Sequence, residues 1–387
     1  MRKLASIVEI ESCEPIANAD RLSVATMKGK GWKVVTGRDE FKPGNMCVYF
    51  EIDSYLPSDD ERFAFLRERC LRKFVSKSGQ VLKEGLRIKT CKLRGVLSQG
   101  LLMPIDHFPE ITDRIMWNEA KQADEFDANE DGVLTDLVGA DVTSLLHVEH
   151  YDEIVEALRP ATGGGNPVCA DAMGKFPSDY IPKTDEERIQ NLSDYFTTMT
   201  DRSFEVTEKA DGSSVTVFLS KTIDEESPLG VCSRNLRLKP EGQKGMPLPW
   251  KMVAKYDLET KLEMANAMME CQLAFQGELV GPGVNGNRDM LTDWEWRVFK
   301  IWDVSNQRYI LPSVAADLCK RLDIPYVKVV ERSKKVLQDF GTMEELLKYA
   351  EGKTDRGNER EGLVFKTVDY PFRSFKAVSN KYLLKCE

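Results

Sequence analysis

The chain's 387 residues are enough for two or three domains with cores of their own, and 42% apolar and 30% charged residues are ordinary for a globular protein. No run approaches the roughly 18 apolar residues of a membrane span, and Glu9, Glu11 and Glu14 break the pattern a signal peptide needs. Three histidines (His107, His147 and His150) and no C-x-x-C argue against a zinc site or a histidine triad, and nine scattered cysteines fit free thiols in the cytoplasm or another reducing compartment. The net charge of -9 speaks mildly against nucleic acid. Yet from Arg62 to Arg94 eleven basic residues face two acids, and a local basic face can hold phosphates whatever the total charge. From Glu119 to Asp136 the balance reverses, with seven acids against Lys121.

Residues 1–110 read as all-β. ASIVEIESCEPI, WKVVTG and NMCVYFEI alternate or run apolar over strand length, and Pro43-Gly44 turns into the third. Residues 111–180 read as a connecting segment. Within it DANEDGVLTDLV, residues 127–138, imitates a calcium loop but carries Val138 where the bidentate glutamate belongs, so an acidic surface loop is the better expectation. ATGGGNP, residues 161–167, has the composition of a flexible linker. Residues 181–387 read as α+β. FEVTEK and SVTVFLS alternate as strands on either side of Asp211-Gly212, which predicts a turn where glycine supplies positive φ. Leu258, Leu262, Ala265 and Met269 share one helical face, SVAADLCKRLDIP is a helix stopped near Pro325, and TMEELLKYAEG is another ended by Gly352. LAFQGELVG, WRVFKIWDV, EGLVFKTVD and SFKAVSN complete the strands.

A lysine at a strand end beside a carboxylate, as in EKADG, is placed to act as a nucleophile. K-x-D-G alone is a weak pattern. It gains weight from an ordered series behind it: Arg234 in CSRNLRL, Glu278 in FQGELVGPG, Phe299, Trp302 and Asp303 in RVFKIWDV, Glu361 in EGLVFK, and Lys376 in SFKAVSNKYLLK. This series resembles the nucleotidyltransferase motifs of the ATP-dependent polynucleotide ligases. The N-terminal text PIANADRLSVATMKGKGWKVV with FKPGNMCVYFEIDSYLP resembles OB folds of the tRNA-binding type, closed by LRGVLSQGLLMP. Together they are most similar to the nick-sealing RNA ligases that carry an OB domain in front and none behind.

The resemblance implies an OB-like β-barrel over residues 1–110 and a nucleotidyltransferase domain of antiparallel sheets with helices over residues 181–387. It implies ATP and Mg²⁺ or Mn²⁺ as cofactors, RNA or an RNA/DNA duplex with a nick as partner, and a monomer working in RNA repair. Lys209 attacks the α-phosphorus of ATP to give lysyl-AMP, for which the amine must be neutral and its pKa lowered. Asp211, Glu278 and Glu361 are the metal candidates, mostly through water because Mg²⁺ dehydrates reluctantly, and Asp211 has the ribose as an alternative. Arg234 goes to a phosphate or the ribose edge, Trp302 stacks on adenine or is simply core, and Glu208 accepts from the adenine amino group. Lys376 meets a phosphate. Relatives often show K-x-K here, but this chain has Ser374 at the first position, with Arg373 or Lys381 to supply the second charge and Lys366 a weaker candidate. Asp303 reads as a structural strand-end acid. On the N-terminal barrel, Trp32, Tyr49, Phe50, Phe63, Phe65 and Phe74 are candidates for a nucleic-acid face.

Two other functions use some of the same parts. DNA ligases and mRNA guanylyltransferases share the lysine but place an OB domain after the fifth motif, whereas this chain ends at Glu387, eleven residues after Lys376. A tRNA-binding OB protein with an inactive second domain would not need Lys209, Glu278, Glu361 and Lys376 together. GPGVNG, residues 281–286, matches a dinucleotide-binding pattern, but no crossover helix follows, so a loop near the substrate is expected.

Overall fold

In the first strand, Ala5–Pro15 (β1), Ala5, Ile7, Val8 and Ile10 are all buried, so its first half is covered on both faces. The computed structural model describes residues 3–113, 137–162, 171–242 and 245–386, and the chain divides into two compact units, residues 1–165 and 166–386. In the first unit β1 continues into Leu22–Met27 (β2), Lys30–Gly37 (β3), Met46–Phe50 (β4), Ser54–Pro57 (β5), Leu71–Val75 (β6), Val81–Arg87 (β7), Thr90–Leu93 (β8), Val96–Gln99 (β9), Leu101–Pro104 (β10) and Glu149–His150 (β11). One sheet has the order β10-β4-β1-β2-β3, and its edges β10 and β3 approach each other, which curls it toward a barrel. A second has the order β11-β5-β7-β6, and β8 and β9 form a hairpin. The first half of β1 pairs with β4 on one side; on the other the amide of Ile7 donates to Ala140 and that of Val142 to Ala5. Ile111, Val142, Leu146 and Val148 are accordingly buried in the same core as Val48, Phe50 and Phe63.

Four of the aromatics expected on a nucleic-acid face, Trp32, Tyr49, Phe50 and Phe63, are fully buried. A small barrel must fill its interior, and large rings do so most effectively. Phe74 packs on the rings of Tyr55 and Tyr151, while Phe65 is 63% exposed. The calcium-like stretch lies outside the described residues except for Leu137 and Val138, as does the linker after Thr162. Among the described residues no helix is long and apolar enough to cross a membrane, and Cys13, Cys47, Cys70, Cys91, Cys232, Cys271 and Cys319 are free thiols.

The second unit adds Ala172–Lys175 (β12), Phe204–Glu208 (β13), Ser213–Leu219 (β14), Leu229–Cys232 (β15), Leu236–Leu238 (β16), Leu273–Val280 (β17), Glu295–Asp303 (β18), Arg308–Tyr309 (β19), Val329–Lys334 (β20), Gly362–Thr367 (β21) and Ser374–Val378 (β22). They form a seven-stranded sheet, β12-β16-β15-β14-β17-β18-β19, and a four-stranded sheet, β20-β13-β21-β22. Side chains alternate along each strand. Phe275 and Leu279 of β17 and Trp296 and Val298 of β18 enter one core with helices Leu248–Tyr256, Leu258–Met269 and Pro312–Arg321. Phe204, Val206, Leu363, Phe365, Phe375 and Ala377 enter another with helices Val336–Phe340 and Met343–Ala350. Helix Met343–Ala350 is N-capped by Thr342, whose hydroxyl oxygen accepts from the amide of Glu345. The intervening positions Glu205, Lys366, Ser374, Lys376, Gln276, Glu278, Arg297 and Lys300 carry polar groups on the opposite faces. Residues 325–329 join the two sheets: the amide of Val298 donates to Pro325, that of Val327 to Val298, and Val329 pairs with Thr207.

At this seam Lys366, 1% exposed, pairs with Glu205, 2% exposed, at 2.9 Å and donates to the Tyr326 hydroxyl, itself a donor to Glu205. Removing one buried partner strands the other's charge, whereas replacing both with apolar groups is often neutral. Lys366→Ala is therefore expected to lower stability in urea unfolding by roughly 3–5 kcal/mol, and the double change Glu205→Leu with Lys366→Met to lose much less.

Candidate active site

β13 and β14 both form as the alternation predicts, but they do not pair with one another. β13 lies between β20 and β21, and β14 between β15 and β17. Residues 209–212 are thus a crossing from one sheet to the other. Gly212 is not among the positive-φ residues, which corrects the reason expected for it. It is glycine because a Cβ there would lie 2.2 Å from the Leu279 carbonyl oxygen and 3.0 Å from Glu278 Cγ. That closeness lets its amide donate to Glu278 Oε1 at 3.1 Å. On the other side the Lys209 amide donates to Gly362, at the start of β21, at 3.0 Å.

The same crossing sets Lys209 Nζ 2.7 Å from Glu361 Oε1. Burial pulls the Lys209 pKa down, but Glu361, Glu278 and Asp211 together outweigh it and hold the amine above its ordinary value. The lowering expected of a nucleophile with Lys376 and a bound metal beside it does not come from the side chains alone: without a metal, three carboxylates stabilise the ammonium more than burial penalises it. The carboxylates bear the converse cost. Burial, with the charge of Glu361 added, pushes Glu278 up to about 8 against the relief from Lys209. Glu361 is also raised by burial, with Lys209 and Lys376 opposing. Asp211 is held from several sides: Tyr382 donates to Oδ2 at 2.8 Å, Asn285 donates to Oδ1, and Arg288 Nε stands 3.3 Å away with its guanidinium over the Tyr382 ring.

A cleft opens above Lys209 and Glu361, walled by Val280, Leu291 and Val327 and edged by Glu208, Arg297 and Arg360. Glu208 ends β13, where its carboxylate meets Lys328 Nζ at 3.2 Å. The 281–286 loop reaches the cleft through Gly281 and places Asn285 on Asp211, as expected of a loop near the substrate. Of the expected site residues, Glu208, Lys209, Asp211 and Glu361 line the cleft, whereas Glu278, Lys376, Arg234 and Trp302 do not. Arg234 sits on the turn after β15, paired to Asp185 at 3.0 Å. Trp302 of β18 is opposite Ala274 of β17, four residues or about 13 Å along the strand from Glu278. Its indole N–H is bound to the Tyr180 carbonyl at 2.8 Å and its ring meets Tyr309 edge-on. Lys376 lies on β22 opposite Val364, close enough for its charge to lower the Glu361 pKa.

Several residues here carry no signal in sequence. Arg297 reaches the cleft only because β18 pairs with β17 in this register. Tyr382 belongs to the last helix, Asn380–Cys386, far in sequence from Asp211. Arg188, 6% exposed, is bridged to Lys376 by parallel backbone pairing. Arg360 precedes Glu361 directly, and its guanidinium caps helix Met343–Ala350 by donating to the carbonyls of Tyr349 and Ala350. Among the described residues no group of three or more histidine, cysteine or acidic side chains is arranged to hold a metal ion.

The raised Glu278 pKa has a sign that can be measured. Folded, the carboxyl keeps its proton to about 8; unfolded, it loses it near its ordinary value of 4.5. Folding therefore retains a proton between those values, and stability falls as pH rises through that window. Melting temperature of the metal-free protein should fall more steeply from pH 5 to pH 9 in the parent than in Glu278→Gln, with the two curves closest at the acid end. Parallel curves would show that Glu278 does not carry this proton.

A profile of OB-fold domains matches residues 4–105, and a profile of RNA ligases matches residues 202–383. No curated protein sequence matches the chain. Among solved structures it is similar to a Naegleria gruberi RNA ligase mutant with AMP and Mn, at a TM-score of 0.77 and 32% identity over 99% of this chain and 98% of that one. A mutant of the same ligase with ATP and Mn gives 0.77 and 32% over 99% and 97%. The ligase with PPi gives 0.77 and 32% over 99% and 98%. The expected α+β architecture, an OB-fold domain followed by a ligase adenylation domain, is thus shared along nearly the whole length. With that likeness and with Lys209 set among Glu278, Glu361 and Asp211, the chain belongs to the RNA ligase family.

Proposed function

We propose that this RNA ligase is ATP-dependent and seals 3′-OH/5′-phosphate ends at nicks in duplexes, with Lys209 carrying the AMP. The observation that carries it is the Lys209 amine beside Glu361 at the floor of a cleft with apolar walls and polar edges. Lys209 Nζ attacks the α-phosphorus of ATP, forming the phosphoramide as the bond to pyrophosphate breaks. The amine must first give up a proton. Glu361 is in reach at 2.7 Å, and its burial-raised pKa makes it a stronger base than an ordinary carboxylate. AMP then passes to the 5′-phosphate, and the 3′-OH displaces AMP as the phosphodiester forms.

Apolar Val280, Leu291 and Val327 suit the faces of a base, and Glu208, on the edge of the same cleft, is the proposed acceptor for an adenine amino group. Lys376 is the phosphate cation. Glu278, whose carboxyl holds a proton to about 8 beside Glu361, is suited to exchange that proton for a divalent cation. Glu278 and Glu361 would hold it, mostly through its own waters. When bound, such an ion offsets both the carboxylates and the triphosphate, and so favours the neutral amine. Asp211, already anchored by Tyr382, Asn285 and Arg288, is a positioning group or a ribose contact rather than the first ligand. Arg234 and Trp302 are left as outer candidates, Arg234 for an approaching phosphate and Trp302 for a structural role. One chain brings Lys209, Glu278, Glu361 and Lys376 together, which favours action as a monomer.

The N-terminal unit is proposed to grip the nucleic acid, with the exposed Phe65 and the basic residues of 62–94 as its contacts. Part of that charge is engaged internally: Lys73 meets Glu84, Lys83 meets Glu149 and Arg87 meets Asp53. Incubation with ATP labelled at the α-phosphate and a divalent metal should label the parent and not Lys209→Ala. Labelling by GTP alone would move the protein to capping chemistry. Because residues 137–150 belong to the N-terminal core, residues 1–165 are the segment to delete. The remainder should still form lysyl-AMP and fail to seal a nicked duplex with RNA on the 3′-OH side; sealing at the parental rate would remove the clamp from the proposal.

A further inference from the structure

We propose that Lys300, reaching across from β18, supplies the second cation of the phosphate-facing strand, in place of a lysine at Ser374. The inference rests on the ligase reading above and names one more residue of the same site. Along β22, Phe375 and Ala377 enter the core, so Ser374 and Lys376 share the opposite face. Lys300 Nζ donates to Ser374 Oγ at 2.9 Å, and the Ser374 hydroxyl donates to Glu186 Oε2 at 2.6 Å. Glu186 also forms an ion pair with Lys300, and the Tyr309 ring centroid lies 4.6 Å from the ammonium. On β18 Lys300 is opposite Gln276, two residues before Glu278 and on the same face of β17. Its side chain thus links the polar rows of the two sheets, two residues along β17 from Glu278 and two along β22 from Lys376.

A serine at 374 leaves room for that ammonium, which a lysine there would contest. The two cations considered from sequence are directed elsewhere: Arg373 donates to the Phe372 carbonyl, and Lys381, 59% exposed, pairs with Glu351 at 2.9 Å. Lys300 is only 6% exposed. Joining two sheets does not require a buried ion pair, because apolar side chains of similar volume often do so with equal or greater stability. Ser374 and Lys376 lie two residues apart on one face of β22, so an ammonium held at Ser374 acts beside Lys376 on an incoming triphosphate once that triphosphate competes with Glu186 for it.

Moving the charge tests this in the full-length protein. Lys300→Met should lower the rate of lysyl-AMP formation at sub-saturating ATP at least about tenfold. Lys300→Met with Ser374→Lys, which restores a cation from the other strand, should recover to within about threefold of the parent. Lys300→Met with Glu186→Met removes both charges; it should regain melting temperature and not the rate. If Lys300→Met adenylylates like the parent, or the Ser374→Lys double variant does not recover, Lys300 is not this cation. Equal recovery in both double variants would show that Lys300 serves only to neutralise Glu186. Failure of the ligase reading itself is separate, because the parent would then form no lysyl-AMP.

Discussion

The close approach of the 209–212 crossing to β17 and β21 is the constraint on which the site depends. At Gly212 the backbone comes so near β17 that a single methyl group would collide with the Leu279 carbonyl. At Lys209 the backbone hydrogen-bonds to the start of β21. Glu278 and Glu361 stand at those two places, one on each sheet. The geometry that joins the sheets is therefore the geometry that surrounds the lysine with carboxylates. A looser crossing would separate the charges and give up both the hydrogen bond to Glu278 and the pairing with Glu361.

Burying so many charges is costly, and the arrangement shows how the cost is met. Each core takes the apolar half of its strands, leaving the other half to line the space between the sheets. There Lys366 is offset by Glu205, Lys300 by Glu186, and Lys209 by Glu361. The first two pairs are close to neutral. Around Lys209 the carboxylates exceed the lysine, and the excess appears as the raised pKa of Glu278. An unbalanced buried charge is poor for stability. It suits a site that completes its balance with a cation and a polyphosphate.

Alternation and helical spacing were enough to locate most strands and three helices, because each depends on neighbours a few residues away. Leu258, Leu262 and Ala265 are buried on one face as their spacing requires, and Pro312 opens its helix at a position where a missing N–H costs nothing. The lysine, Glu278 and Glu361 were legible as an ordered series. Sheet partners were not. FEVTEK and SVTVFLS look like a hairpin because they are adjacent, and yet they belong to different sheets. The aromatics of the barrel misled for a related reason: alternation does not say which face becomes the interior until the sheet curls.

What the sequence determined by itself is the set of chemical groups and their order: a lysine before Asp-Gly, two later glutamates on strands, a final lysine, and an OB-like stretch in front. Tertiary structure alone decided which of them meet. It placed Arg297 beside Glu278 through strand register, brought Tyr382 to Asp211 from the end of the chain, took Trp302 away from the cleft and put Lys300 at Ser374. It also set the direction of the Lys209 pKa in the metal-free protein, which is upward. That direction depends on the balance between burial and three carboxylates, and such a balance is set by distances in space rather than along the chain.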